Sequence, residues 1–293
     1  MTGSADAPSS WGRKPRDGEI DVFGLTHPGK VRKENQDHFL ICSLTKHVDV
    51  HLTSLPDPAV LTAESRRLAF MVMVADGVGG GPKGGEASRI ALEAITHYVI
   101  EAVRAYNAAD ATDHGEFAAS LQEAALHVHA DIIREAEADP DKGGMATTLT
   151  LWIGIWPYGY LLQLGDSRCY TIRAGELVQV SRDQTMAQEL MDSGVLSRTE
   201  AGQSRFAHIL SSSLGGSQTA PQVTRMVQEW GQPGLLCSDG LTKHVSDERI
   251  KEVLSTMTSS KQACEQLLQE ALDGGGSDNI TVVIGRSVKK GSD

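Results

Sequence analysis

The chain has 293 residues, 40% of them hydrophobic and 22% charged, enough for a large domain with a sizeable core. Lys and Arg total 27 against 38 Asp and Glu, a formal charge of −11, which argues against a sequence-independent nucleic-acid binder and leaves carboxylates for a cation to neutralise. No apolar run approaches the ~20 residues of a membrane span, so no membrane partner is expected either.

Residues 1–18 are polar and rich in Ser, Gly and Pro; they read as a disordered tail and lack the apolar core of a signal peptide. Residues 287–293 read as a second tail, and no linker or repeat divides 19–286, so a single domain is expected. "IDVFGLTH" and "DHFLIC" read as strands around the polar turn "PGKVRKENQ". Residues 46–67 form an irregular excursion, and "LAFMVMVA" (68–75) is a buried strand. From Glu86 the period changes: Ala87, Ile90, Ala91, Ala94, Ile95, Tyr98, Val99 and Ala102 make a helical stripe, and Phe117, Leu121, Ala125, Val128 and Ile132 a second. Both predict core helices laid as a pair on a sheet.

Strands then return in "ATTLTLWIGI", "YGYLLQLGD", "RCYTIRAG" and "ELVQVS", followed by a short helix in "TMAQELMDSG". Residues 195–220 are polar and carry no clear period. "GLLCSD" predicts a buried strand, "SDERIKEVLSTM" and "KQACEQLLQEAL" helices, and "NITVVIG" a final strand. Blocks of strands with segregated helices indicate an α+β fold, sheet packed on sheet with helix pairs outside. The four cysteines, Cys42, Cys169, Cys237 and Cys264, are scattered without zinc spacing; they read as small buried hydrophobes in a reducing compartment, so a cytoplasmic protein is expected.

Five aspartates share a pattern. Asp37, Asp76, Asp166, Asp239 and Asp278 each stand where an apolar strand meets a turn. A charge there is costly unless paired, and the basic residues nearby follow no common spacing, so a cation is the expected partner. A single Asp at a strand end is ordinarily a turn former. Five in apolar frames favour a divalent-metal site, and an all-carboxylate set suits Mg²⁺ or Mn²⁺ over zinc. This also accounts for "ADGVGGGPKGG": the acid precedes the glycines, so they serve close backbone approach around a metal rather than a phosphate nest. A Walker loop fails because Gly84 follows Lys83, a dinucleotide fingerprint because its acid comes first, a calcium loop because D-x-D-x-D-G is absent, and a kinase because H-R-D and D-F-G are absent.

The segments "RKENQD", "VADGVGG", "GMATTLT", "GDSRCY", "LLCSDGLT" and "GGSDNITVVI" occur in that order over residues 20–286, and together they resemble the metal-dependent serine/threonine protein phosphatases of the protein phosphatase 2C type, in their bacterial form. The resemblance implies two antiparallel β-sheets packed as a sandwich between pairs of helices. It implies two Mn²⁺ or Mg²⁺ ions at one end, with Asp76 bridging them, Asp239 and Asp278 completing one, the Gly77 carbonyl on the other, Asp37 close by, and Asp166 on a third, weaker ion. Arg32 matches the family's phosphate-binding arginine, whose planar guanidinium can grip two phosphoryl oxygens. The implied chemistry is in-line attack by metal-activated water on phosphoserine or phosphothreonine, opposing a Ser/Thr kinase, with phosphoproteins as partners and a monomer as default.

Departures accompany the resemblance. Val78 stands where many members have His, so the leaving-group acid has no candidate side chain. Gln36 replaces a frequent Glu, and Gln184 in "SRDQT" replaces His and reads as structural. Residues 186–220 correspond to a flap near the site, whose "SRFAHILSSSLGG" is unlike the usual ending. His38 and His244 lie near motif residues and read as structural or solvated. The competing readings are a catalytically weak module that binds phosphoproteins, a nucleotide-binding module, and a phosphatase for small phosphate esters.

Overall fold

The computed structural model describes residues 12–47, 50, 52, 54, 66–79, 83–109 and 113–289. Most of the 46–67 excursion and loop positions 80–82 lie outside the described residues. In chain order the elements are β1 (Ile20–His27), β2 (Asp37–Lys46), β3 (Arg66–Val78), α1 (Lys83–Ala108), α2 (His114–Ala138), β4 (Ala146–Thr147), β5 (Leu149–Ile155), β6 (Tyr158–Leu164), β7 (Arg168–Arg173) and β8 (Glu176–Gln179). Then follow α3 (Met186–Asp192), α4 (Arg198–Gln203), β9 (Gln222–Val227), β10 (Gly234–Cys237), α5 (Asp239–Thr242), α6 (Asp247–Thr256), α7 (Ser260–Asp273) and β11 (Ile280–Ser287).

All strand pairs are antiparallel. One sheet runs β1-β11-β10-β7-β8 and the other β2-β3-β5-β6-β9, with β4 against the end of β3. The central strands of both sheets are covered on two faces, which is why they read as continuous apolar runs. In β3, Met71, Met73 and Ala75 face the α1–α2 pair, while Val72 and Val74 face the other sheet. In β11, Ile280, Val282 and Ile284 face α6 and α7, while Val283 joins Leu161, Cys169 and Leu236 between the sheets. The two predicted helical stripes are these contacts: Ala87, Ala91, Ile95 and Val99 are fully buried, as are Leu121, Ala125, Val128 and Ile132. The sandwich between helix pairs is therefore the α+β architecture the resemblance implied.

Several boundaries differ from the sequence reading. The strand expected through Asp239 stops at Cys237, and Asp239 opens the one-turn α5. "ATTLTLWIGI" divides at Thr148 into β4 and β5. Helix α1 begins at Lys83, three residues before Glu86. Residues 12–18 make defined contacts: Arg13 bonds both carboxylate oxygens of Glu19 at 2.6 and 2.5 Å, and Arg67 bonds the Pro15 carbonyl at 2.6 Å and pairs with Asp17. Among the described residues no helix is long and apolar enough to cross a membrane.

Candidate active site

Side-chain parity delivers the first two acids. Asp76 follows Val72 and Val74 on the face of β3 that looks between the sheets, and Asp37 lies directly opposite it on β2, in line with Phe39 and Ile41. Thr281 and Ser238 reach the same place from the other sheet, and both hydroxyls donate to Asp37 Oδ2 at 2.7 Å. Asp239 and Asp278 follow β10 and precede β11, neighbours joined through Cys237 opposite Val282. Asp166 lies between β6 and β7, where the chain crosses from one sheet to the other. The five aspartates singled out from sequence thus converge on one end of the sandwich, and each of Asp37, Asp239, Asp166 and Asp278 bears electrostatically on Asp76.

The glycines around Asp76 do serve close approach. A Cβ on Gly77 would lie 2.2 Å from the Gly84 carbonyl oxygen, so β3 and the first turn of α1 meet backbone to backbone. Gly77 also donates its N–H to the Gln36 carbonyl at 3.3 Å and pairs with Thr147. The Asp76 backbone is held from β4 and β5: its N–H donates to Thr148 Oγ1 at 3.0 Å, and its carbonyl accepts from Thr148 N–H and Thr147 Oγ1, each at 2.9 Å. Thr148 Oγ1 in turn meets Ser167 Oγ at 2.9 Å, beside Asp166.

Such packing of like charges is expensive. Burial pushes Asp37 up to about 6, against the lowering effect of its Ser238 and Thr281 hydrogen bonds. Burial and Asp239 push Asp166 up to about 7, and Asp76 lies well above the carboxylate range through burial and the four surrounding acids. Asp37 Oδ1 is buried with no donor. Asp278 is the exception. Burial raises it, but Arg32 and Lys243 outweigh that and hold it below its ordinary value.

Those two cations reach the site from opposite sides of the sequence, four residues after Asp239 and in the β1–β2 loop. Arg32 Nε and Nη2 bond the two Asp278 oxygens at 2.8 and 2.9 Å, and Lys243 Nζ stands 2.6 Å from Asp239 and 2.8 Å from Asp278. Arg32 is therefore at the site, 58% exposed, and gripping a carboxylate. Among the described residues no three acids form a ready ligand set, and Asp239 and Asp278 are paired with these cations. The donor chemistry nonetheless fits a hard divalent ion: five carboxylates, one oxygen buried without a donor, and three acids whose burial beside other acids raises the cost of their negative charge.

Sequence reasoning passed over the residues that hold the acids. Asn279 ties the β1–β2 loop to β11: its Nδ2 donates to the Pro28 and Glu34 carbonyls at 3.0 and 2.9 Å, and its Oδ1 accepts from Gln36 N–H at 2.9 Å. Lys243 was legible as the i+4 partner of Asp239. The two histidines are structural: His38 Nδ1 meets Ser88 Oγ at 2.9 Å, and His244 Nε2 accepts from Ser277 N–H at 2.9 Å. Gln184 is structural too, accepting from Gly165 N–H and donating to the Ala220 carbonyl, each at 2.9 Å. Segment 186–220 leaves from Thr185, which bridges Leu210, and Leu214 within it bridges Thr147, the partner of Gly77.

A helix-flanked double sheet with five aspartates converging at one end defines a class of protein suited to hard cations. The model of the family described as protein phosphatase 2C matches residues 57–274. The serine/threonine protein phosphatase PstP of Mycobacterium tuberculosis is 35% identical over 216 residues, 74% of this chain and 40% of its own length. This chain thus spans well under half of that relative. Protein phosphatase PhpP of Streptococcus pneumoniae is 29% identical over 267 residues, 90% of this chain and 96% of its own. Among solved structures, the M. tuberculosis PstP/Ppp phosphatase aligns with TM-score 0.72 at 30% identity, covering 92% of this chain and 99% of that one. The PstP catalytic domain in complex with two manganese ions aligns with TM-score 0.70 at 31% identity, over the same shares. The chain belongs to the protein phosphatase 2C family.

Proposed function

We propose that this chain is a metal-dependent phosphatase that hydrolyses phosphoserine and phosphothreonine in proteins, opposing a Ser/Thr kinase. The observation that carries the reading is the convergence of Asp37, Asp76, Asp166, Asp239 and Asp278 on one end of the sandwich, in a chain of this family. It is supported by the manganese-bound relative.

Two or three Mn²⁺ or Mg²⁺ ions, held by these acids and the Gly77 carbonyl, would supply the charge that activates water for in-line attack and screens the phosphoryl oxygens. The protein's own part is positional. Ser238 and Thr281 fix the Asp37 carboxylate by one oxygen and leave the other buried without a donor, free for a cation. Thr147 and Thr148 fix Asp76 through its backbone, so its side chain keeps its place while carrying charge. Arg32 is exposed enough to exchange Asp278 for a phosphoryl group, which offers its two donors the same two-oxygen geometry. The side chain in the position of the family's proposed leaving-group acid is Val78, 38% exposed, which cannot give a proton. The leaving alkoxide is therefore expected to take its proton from water.

Phosphate release from a phosphothreonine peptide, with Mn²⁺ or with EDTA, tests this. Release that requires Mn²⁺ and falls about a hundredfold or more in Asp239→Asn is the expected result. A folded protein that releases nothing with any divalent metal would overturn it and bring forward the phosphoprotein-binding reading.

A further inference from the structure

Lys243 stands where the proposed function requires a metal to be shared. It caps the C-terminal end of the one-turn helix α5, four residues after Asp239, with its N–H on the Asp239 carbonyl at 2.9 Å. That spacing returns its side chain to the Asp239 carboxylate, and the pairing of β10 with β11 brings Asp278 within the same reach. One ammonium therefore bridges two carboxylates from two different segments. Asp278 is saturated by this arrangement: besides Lys243 it takes two bonds from Arg32 and a 3.0 Å bond from Asn279 N–H.

The rest of the cluster has no such help. Asp37 keeps a buried oxygen without a donor, and no ion pair to a cation is made by Asp37, Asp76 or Asp166 among the described residues. The cationic side chains of the site are thus concentrated on Asp239 and Asp278. We propose that Lys243 is an internal counter-cation that competes with the divalent metal for Asp239 and Asp278, holding these acids together when the metal is absent and setting a lower metal affinity than the acid set would otherwise give. The inference rests on the metal-dependent reading above. The ammonium at 2.6 and 2.8 Å already takes one oxygen of each carboxylate, so a divalent ion held by Asp239 and Asp278 would have to displace Lys243 or bear its positive charge close by, and the site would carry that cost. Lys243 is thereby a determinant of how much free metal the enzyme needs, at a step separate from phosphate chemistry.

The test is Mn²⁺ binding to the metal-stripped full chain, followed by the EPR signal of free aqueous Mn²⁺, for wild type, Lys243→Gln and Lys243→Arg, together with melting in EDTA. Lys243→Gln should tighten at least one Mn²⁺ about tenfold, melt lower than wild type in EDTA, and gain more from added Mn²⁺. Lys243→Arg keeps the charge and should stay within about threefold of wild type. Should the Gln variant not fold, Lys243→Met removes the charge while keeping chain length, with the same expectation. Unchanged or weaker Mn²⁺ binding on removal of the charge, or equal tightening by Arg, would overturn the proposal while leaving the metal-dependent reading intact. If folded wild type and variants all fail to bind Mn²⁺, the metal-dependent reading itself falls and takes this proposal with it.

Discussion

Asp37 shows how one residue can work against the fold to serve a site. It is 2% exposed, takes two hydroxyl donors on one oxygen, and leaves the other with none. Removing the charge while keeping the shape should therefore act in opposite directions on two observables. Asp37→Asn retains an acceptor for Ser238 and Thr281 and relieves a buried charge among carboxylates. It should raise the melting temperature of the metal-free protein at pH 7.5 and weaken Mn²⁺ binding about tenfold. Calorimetry with and without Mn²⁺ reads both; a variant that lowers the metal-free melting temperature would show that the charge is compensated in solution. Asp37 was legible from sequence because an acid before an apolar strand is conspicuous. Its neighbours Ser238 and Thr281 were not, since a serine just past a strand end and a threonine inside a strand both read as ordinary there and only the partner reveals the use.

At the scale of elements, the long and apolar were legible and the short and half-exposed were not. Helices α1 and α2 announce themselves through periodic burial over 26 and 25 residues. Strand β9 alternates unevenly between exposed and half-buried positions at a sheet edge, so no apolar run betrays it. Helix α4 is the mostly polar six-residue RTEAGQ, in which Ala201 is buried; its one signal was the capping box of Ser197 and Glu200. The β1–β2 loop, which carries Arg32 and leads into Asp37, has no core of its own. It is moored by Asn279, buried at 5% exposure and bonded to three loop backbone groups. Asn279→Ala orphans those groups and should cost about 2 kcal/mol in urea unfolding. It should also lower phosphatase activity by displacing Asp37 and Arg32 together. Unchanged activity at reduced stability would mean that the loop finds its position without this anchor.

Across the whole molecule the division of labour is between cores that hold the layers and an end that is held under electrostatic load. Helix-covered cores lie on both outer faces of the sandwich. A cavity of about 140 Å³ opens between the sheets, lined by Phe70, Trp152 and Met226, and none of the five acids borders it. The acids gather at the other end of β3, where burial lifts Asp37 to about 6, Asp166 to about 7 and Asp76 well above its ordinary 3.8. A raised carboxylate pKa means that the native state binds protons more readily than the unfolded chain. The stabilisation from Asp37 and Asp166 is therefore fully present below about 4 and is lost as pH rises through 6 and 7, and Asp76 acts in the same sense. Asp278, held low by Arg32 and Lys243, contributes in the opposite sense and loses its share only on acidification below its unfolded value. The metal-free protein should accordingly melt several degrees lower at pH 8 than at pH 5. Saturating Mn²⁺ should flatten or reverse that slope, because a bound dication favours the ionised acids and competes with protons for the same oxygens. Scanning calorimetry in EDTA and in Mn²⁺ across this range separates the cases. A metal-free melting temperature that climbs from pH 5 to pH 8 would mean that the cluster ionises freely, and that the charge of the missing cation is not what the fold has been built to await.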